Sequence, residues 1–168
     1  MSKTIFVIII VLAALVSILW LVIDKQRAAP TLHLQSATGE NIVIGKNMGK
    51  PLLVNFWATS CSACLVEIPH LIELYHELNS RGLDIIGVSM SYDPPMLVVD
   101  MVQQKQIPYP IVFDLDKKIQ LAFGLPQGIT PTTLLIDANG KILQRIQGMP
   151  DMKQLRKNII AILPESIL

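Results

Sequence analysis

Hydrophobic and polar positions follow different periods along this chain, and each period predicts an element. From Ile5 to Ile23 the residues IFVIIIVLAALVSILWLVI run for 19 positions without a charge. As a helix that run is about 28 Å long, the thickness of a bilayer's hydrocarbon core. Gln26 to Pro30 reads as a short polar tether. Leu32/Leu34 and Ile42 to Ile44 then flank the polar stretch Ser36 to Asn41 and predict a β-hairpin. Pro51 to Phe56 is a short apolar run that suits a buried strand. From Leu65 to Leu78 apolar residues recur at Ile68, Leu71, Ile72, Tyr75 and Leu78, the spacing of a helix with one buried face. Its polar face reads as Glu67, His70, Glu73, His76 and Glu77, and Gly82 closes it. Leu83 to Met90 predicts a second central strand, and Asp93-Pro94-Pro95 opens a helix over Met96 to Gln104. Tyr109 to Phe113 predicts a strand and Asp114 to Phe123 a short helix. Leu134 to Asp137 and Ile142 to Ile146 flank Asn139-Gly140, a hairpin signal, and Asp151 to Leu163 forms a closing helix. Strands alternating with helices, then a hairpin and a helix, predict an α/β fold with a mixed sheet between helices. There is no internal repeat and no low-complexity segment.

Composition adds a location for the apolar excess. Apolar residues make up 51% of the 168 and are densest at the N-terminus. A secretory signal has an apolar region of about 7 to 15 residues followed by small ones. This run is longer, and Arg27 stands where a small residue is needed, so an uncleaved single-pass anchor is expected. Lys3 on one side and Lys25 and Arg27 on the other leave the positive-inside rule silent on orientation. The expected organisation is residues 1–30 as cytoplasmic N-terminus, transmembrane anchor and tether, and residues 31–168 as one domain. A net charge of +1 with no basic stripe argues against nucleic acid as a partner.

The candidate chemistry sits in PLLVNFWATSCSACLVEIP, Pro51 to Pro69, which holds the chain's only cysteines, Cys61 and Cys64. They fall where a strand hands over to a helix. A helix N-terminus favours an anion by about 0.3 to 2 kcal/mol, enough to raise a thiolate from a few per cent to tens of per cent at neutral pH. Cys61 is the expected nucleophile, and Cys64, one turn deeper, the thiol that attacks a mixed disulfide on Cys61. A zinc site would need a second Cys/His pair, and His33, His70 and His76 offer none at ligand spacing. His33 reads as a surface or packing residue.

Val54-Asn55-Phe56-Trp57-Ala58-Thr59-Ser60-Cys61-Ser62-Ala63-Cys64, with Glu67 and Pro69 after it, resembles the active-site segment of the thioredoxin superfamily. Within it the segment is most similar to the membrane-anchored TlpA/ResA-like branch, and the similarity runs from about Thr31 to the C-terminus. The resemblance implies a thioredoxin-like fold with an N-terminal β-hairpin and a central strand–helix insertion. It implies a thiol–disulfide oxidoreductase working through a Cys61–Cys64 redox disulfide, with no other cofactor and no metal. It also implies a cis Pro131 facing the cysteines, a Thr130 backbone that pairs with an extended substrate, substrate contacts from Trp57 and Ser60, and Glu67 managing the proton of Cys64. The implied partners are client proteins with disulfides, a membrane thiol donor and, through Ile5 to Ile23, the lipid bilayer, with the domain a monomer. The implied place is the bacterial inner membrane with the domain in the periplasm or on the extracytoplasmic face, in cytochrome c or copper-site maturation. Two departures stand out: Asn55 replaces the buried Asp of thioredoxins, and Ser60 stands where many relatives have an aromatic. The alternative is a copper carrier using both thiolates with Met90 or Met149. A peroxidase would need a Pro and a Thr before the reactive cysteine, and only Thr59 is there.

Overall fold

The computed structural model describes residues 3–26, 28–125 and 129–164. Helix α1 (Lys3–Gln26) has 24 residues. Its described side chains are exposed and, Ser17 apart, apolar, with Val7, Ile8, Leu12 and Leu15 each exposed by more than half. Side chains are described at position 5 and over 7–17, and among the described residues no helix is long and apolar enough to cross a membrane. The side chains of positions 6 and 18–23 of the span expected over Ile5 to Ile23 lie outside the described residues.

After α1 come β1 (Leu32–Gln35), β2 (Asn41–Ile44), β3 (Leu52–Trp57), α2 (Ser62–Leu78) and β4 (Asp84–Ser89). They are followed by α3 (Pro95–Lys105), β5 (Ile111–Phe113), α4 (Lys118–Ala122), β6 (Thr132–Ile136), β7 (Ile142–Gln147) and α5 (Met152–Ile160). β1 and β2 pair as the expected hairpin, a two-stranded sheet of their own. The other strands form one sheet in the order β5-β4-β3-β6-β7. β4 runs parallel to β3, β5 parallel to β4, and β6 and β7 are antiparallel.

β3 is buried at every position because both its faces are covered. Leu53 and Trp57 pack with Ile68 and Leu71 of α2, Val98 of α3, and Leu155 and Ile159 of α5. Leu52, Val54 and Phe56 point to the other face, where Ile119 and Phe123 around α4 and Ile44 of the hairpin cover them. The period of two thus splits the core into two layers around one strand.

Several element ends differ from the sequence reading. Asp93 does not cap α3: Pro94 holds the cap position, with no side-chain hydrogen bond there. α4 starts only at Lys118, because Lys117 has a positive φ of 62°. The Asp114 carboxylate accepts the N–H groups of Ile119 and Gln120 at 2.9 and 2.8 Å, which ties this short helix to the end of β5.

The end of the sheet remote from the cysteines is pinned by backbone. Gly140 has φ +84°, and a Cβ there would lie 2.1 Å from the Gly45 carbonyl oxygen. Ala29 donates to the Gly140 carbonyl at 2.7 Å, and Ala28 bridges Lys141. These two alanines, read as tether, are therefore docked on the β6–β7 turn. β3 pairs Leu52 with Ile136 at this end and Phe56 with Thr132 at the other. The tether and the cysteines occupy opposite ends of the sheet.

Candidate functional site

The turn Ala58-Thr59-Ser60 carries the chain from β3 into α2, closed by the Cys61 N–H donating to the Ala58 carbonyl at 3.1 Å. Cys61 is the N-cap of α2, with its sulfur accepting from the Cys64 N–H at 3.1 Å. The two sulfurs are joined in a disulfide, with Cα atoms 5.2 Å apart. Cys61 is half-buried and flanked by exposed Ser60, Ser62 and Ala63, while Cys64 is 1% exposed. An incoming sulfur therefore meets Cys61 and not Cys64.

Glu67 does not lie on the solvated face of α2 where the spacing placed it. It is fully buried, because one turn beyond Cys64 it shares the inward face with Ile68 and Leu71. Its Oε1 accepts from the Thr133 hydroxyl at 2.8 Å and its Oε2 from the Asn55 side-chain amide at 3.1 Å. Asn55 also donates to the Thr133 hydroxyl oxygen at 2.9 Å, which closes a triangle. Burial pushes the Glu67 carboxyl up from its ordinary value, against the hydrogen bonds from Thr133 and Asn55 and the charge of His70, which hold it down. Thr133 was not singled out in the sequence. The signal was the period of two in β6, whose register sets Thr133 opposite Asn55.

The Thr130–Pro131 peptide is cis. Pro131 is buried and its carbonyl accepts from the Gly148 N–H at 2.8 Å, while Thr130 is half-buried. This segment enters β6 at the cysteine end of the sheet. Trp57, expected to touch substrate, is 1% exposed and packs in the core with Cys64 and Ile68. As the last residue of β3 it points inward, so it supports the cysteine loop from beneath. Met90 is buried with Phe56 and Val88, and Met149 is exposed. Among the described residues no three His, Cys, Asp or Glu side chains come together as a metal site.

The mixed sheet and the disulfide-linked Cys-x-x-Cys at the mouth of α2 define a thioredoxin-like thiol–disulfide oxidoreductase, in which the cysteine pair is itself the redox agent. Residues 26–145 match the profile of the AhpC/TSA family, and the chain belongs to that family. It is 30% identical over 138 residues to the thiol–disulfide oxidoreductase ResA of Bacillus thuringiensis subsp. konkukian, covering 82% of this chain and 78% of that protein. ResA of Geobacillus thermodenitrificans is 31% identical over 136 residues, covering 81% and 76%. A crystal structure of a thioredoxin-family thiol:disulfide interchange protein from Chlorobium tepidum superposes with a TM-score of 0.72 at 25% identity, covering 82% of this chain and 96% of that one. StoA from Bacillus subtilis, at 22% identity and a TM-score of 0.67 over 78% of this chain and 97% of that one, shares the fold.

Proposed function

We propose that the chain is a membrane-anchored reductant of protein disulfides outside the cytoplasm. The observation that carries this is the asymmetry of the pair: Cys61 reachable at a helix N-cap, Cys64 buried one helical turn before the buried Glu67. In the reduced protein the Cys61 thiolate attacks one sulfur of a client disulfide. A Cys61–client disulfide forms, and the other client sulfur leaves as a thiolate and takes a proton. Cys64 then gives its proton to Glu67 and attacks the Cys61 sulfur. The mixed disulfide breaks, the second client sulfur leaves as a thiolate and is protonated, and the Cys61–Cys64 bond closes. The client has gained two electrons and two protons; the pair has supplied both electrons and the proton of Cys64, and the second proton comes from water, to which Cys61 released its own on becoming a thiolate.

Glu67 suits the proton's place because burial raises its affinity for one. Asn55 suits both of its states. With the carboxylate it donates Nδ2–H, and with the protonated acid it can turn to present its carbonyl oxygen. Pro131 and the Thr130 backbone, at the same end of the sheet, fit an extended client segment, with Ser60 on the exposed rim. α1 serves as the anchor in the bacterial inner membrane, a membrane thiol donor restores the dithiol, and the domain acts as a monomer. Clients that need free thiols for haem or copper attachment fit this direction of electron flow.

The test is a trap. With a disulfide-bearing client, Cys64→Ala accumulates a mixed disulfide visible on non-reducing gels, and Cys61→Ala does not. Equal trapping by both removes the assigned roles.

A further inference from the structure

Asp93 lies outside the machinery above, yet it grips the loop that carries it. Asp93 is 3% exposed. Oδ2 accepts the backbone N–H of Thr59 at 2.6 Å, and Oδ1 accepts the Thr59 hydroxyl at 2.5 Å. Thr59 stands two positions before Cys61, inside the turn from β3 to α2. Asp93 is itself held, its N–H donating to the Met90 carbonyl at 3.0 Å and the Met90 N–H to the Trp57 carbonyl at 3.1 Å. The contact thus ties the ends of two neighbouring parallel strands together at the redox turn.

The energetics make this an unusual use of a carboxylate. Among the described residues no lysine, arginine or histidine forms an ion pair with Asp93. Its side-chain partners are two neutral donors. Desolvating a charge without a counter-ion is costly, and charge-assisted hydrogen bonds offset only part of it. An Asp just ahead of a helix would ordinarily cap it, and here that role is left to Pro94.

We propose that Asp93 is a positioning residue of the redox loop, which fixes the turn through Thr59 and sets a negative charge behind Cys61 that favours the disulfide over the dithiol. The inference rests on the reading of Cys61–Cys64 as the working redox couple. The reduced state places a thiolate on Cys61, and a like charge nearby disfavours it. The helix N-terminus acts the other way. Glu67, a second buried carboxyl group, lies one helical turn beyond Cys64 on α2. His70, on the same helix, is exposed and lies 3.8 Å from Glu73. Asp93 thereby makes the dithiol a stronger reductant than the N-cap alone would.

The experiment uses the full chain and two variants. Asp93→Asn keeps the shape and one carbonyl acceptor but removes the charge. Thr59→Val keeps the charge and the backbone N–H but removes the hydroxyl. Two readouts are taken. One is the equilibrium in which two glutathione molecules reduce the Cys61–Cys64 disulfide to two thiols and one glutathione disulfide. The other is the pH dependence of the thiolate's ultraviolet absorbance. Asp93→Asn is expected to lower the thiolate titration by about half a pH unit and, at a pH where Cys61 is ionised, to move the equilibrium up to about threefold toward the dithiol. Thr59→Val is expected to shift neither in that direction. No change in Asp93→Asn overturns the proposal, and so do equal shifts in both variants, which would assign the effect to loop geometry alone. Should Asp93→Asn fail to fold, Asp93→Ser, a smaller neutral acceptor, carries the same prediction. Both readouts concern the cysteine pair alone, so a wild-type protein unable to reduce a client would sink the functional reading and leave them standing.

Discussion

Thr133 of β6 donates its hydroxyl to Glu67 of α2 at 2.8 Å, a contact between residues 66 positions apart. It holds a carboxyl group in an otherwise apolar layer, one helical turn beyond Cys64, where an isolated acid would be expensive to bury. Three hydrogens, two from Asn55 and one from Thr133, fill the triangle that keeps it there.

Removing the acid should therefore slow the second half of the reaction and spare the first. In Glu67→Gln the mixed disulfide should form at the wild-type rate and resolve about 100-fold more slowly, the lower range for a lost general base. Rapid acid quench followed by mass spectrometry of the Cys61 adduct measures both steps.

The same residue sets a slope in stability. Its folded-state affinity for a proton is raised by burial, so between the ordinary carboxylate value and the folded one the native state binds more protons than the unfolded state. Stability in that window falls as pH rises. Relative to wild type, the oxidised Glu67→Gln protein should gain stability as pH rises through the window. Urea denaturation at a series of pH values checks it, and a difference that moves the other way refutes the assignment.

Gly87 on β4 leaves no room for a methyl group: a Cβ would lie 2.5 Å from Ile111 Cδ1 and 3.0 Å from Trp57 Nε1. Gly87→Ala should cost about 1 to 3 kcal/mol. Because Trp57 must move, tryptophan fluorescence of the native state should change as well.

Gly140→Ala should be worse, about 3 kcal/mol or more, because it joins a left-handed φ to a clash with backbone that cannot rotate away. The loss should show as a lower denaturation midpoint with redox equilibrium unchanged, since the turn is remote from the cysteines.

The proposed anchor has its own test. An arginine at Val11 in α1 adds roughly 2.5 to 3.5 kcal/mol to insertion. Val11→Arg should shift the protein from the membrane to the soluble fraction while the domain's thiol chemistry persists.

Local signals in the sequence located most of this. The runs in β3 and β4, the spacing in α2 and the Asn139-Gly140 turn all report a residue's own neighbourhood, and they placed their elements within a few positions. Cys61 and Cys64 were legible because their chemistry depends on a spacing of three. Glu67, Asp93 and Trp57 were misjudged for one reason: each was read against adjacent residues, while its surroundings come from elsewhere. Glu67 looked solvated beside His70 and Glu73, but Thr133 and Asn55 receive it. Asp93 read only as the start of a helix, but Thr59 claims its oxygens. Trp57 resembled a contact residue, but the parity of β3 turns it inward.

The docking of Ala28 and Ala29 on the β6–β7 turn sets where the chain enters the domain. β3 spans six residues from that pole to the cysteine loop, about 20 Å at the rise of an extended strand. If α1 anchors the chain as proposed, the sulfurs lie at the pole of the domain opposite the point where the chain enters it. Soluble clients could be served without any tilt. A donor buried in the same lipid sheet would have to reach up with a domain of its own, or wait for this one to lie down.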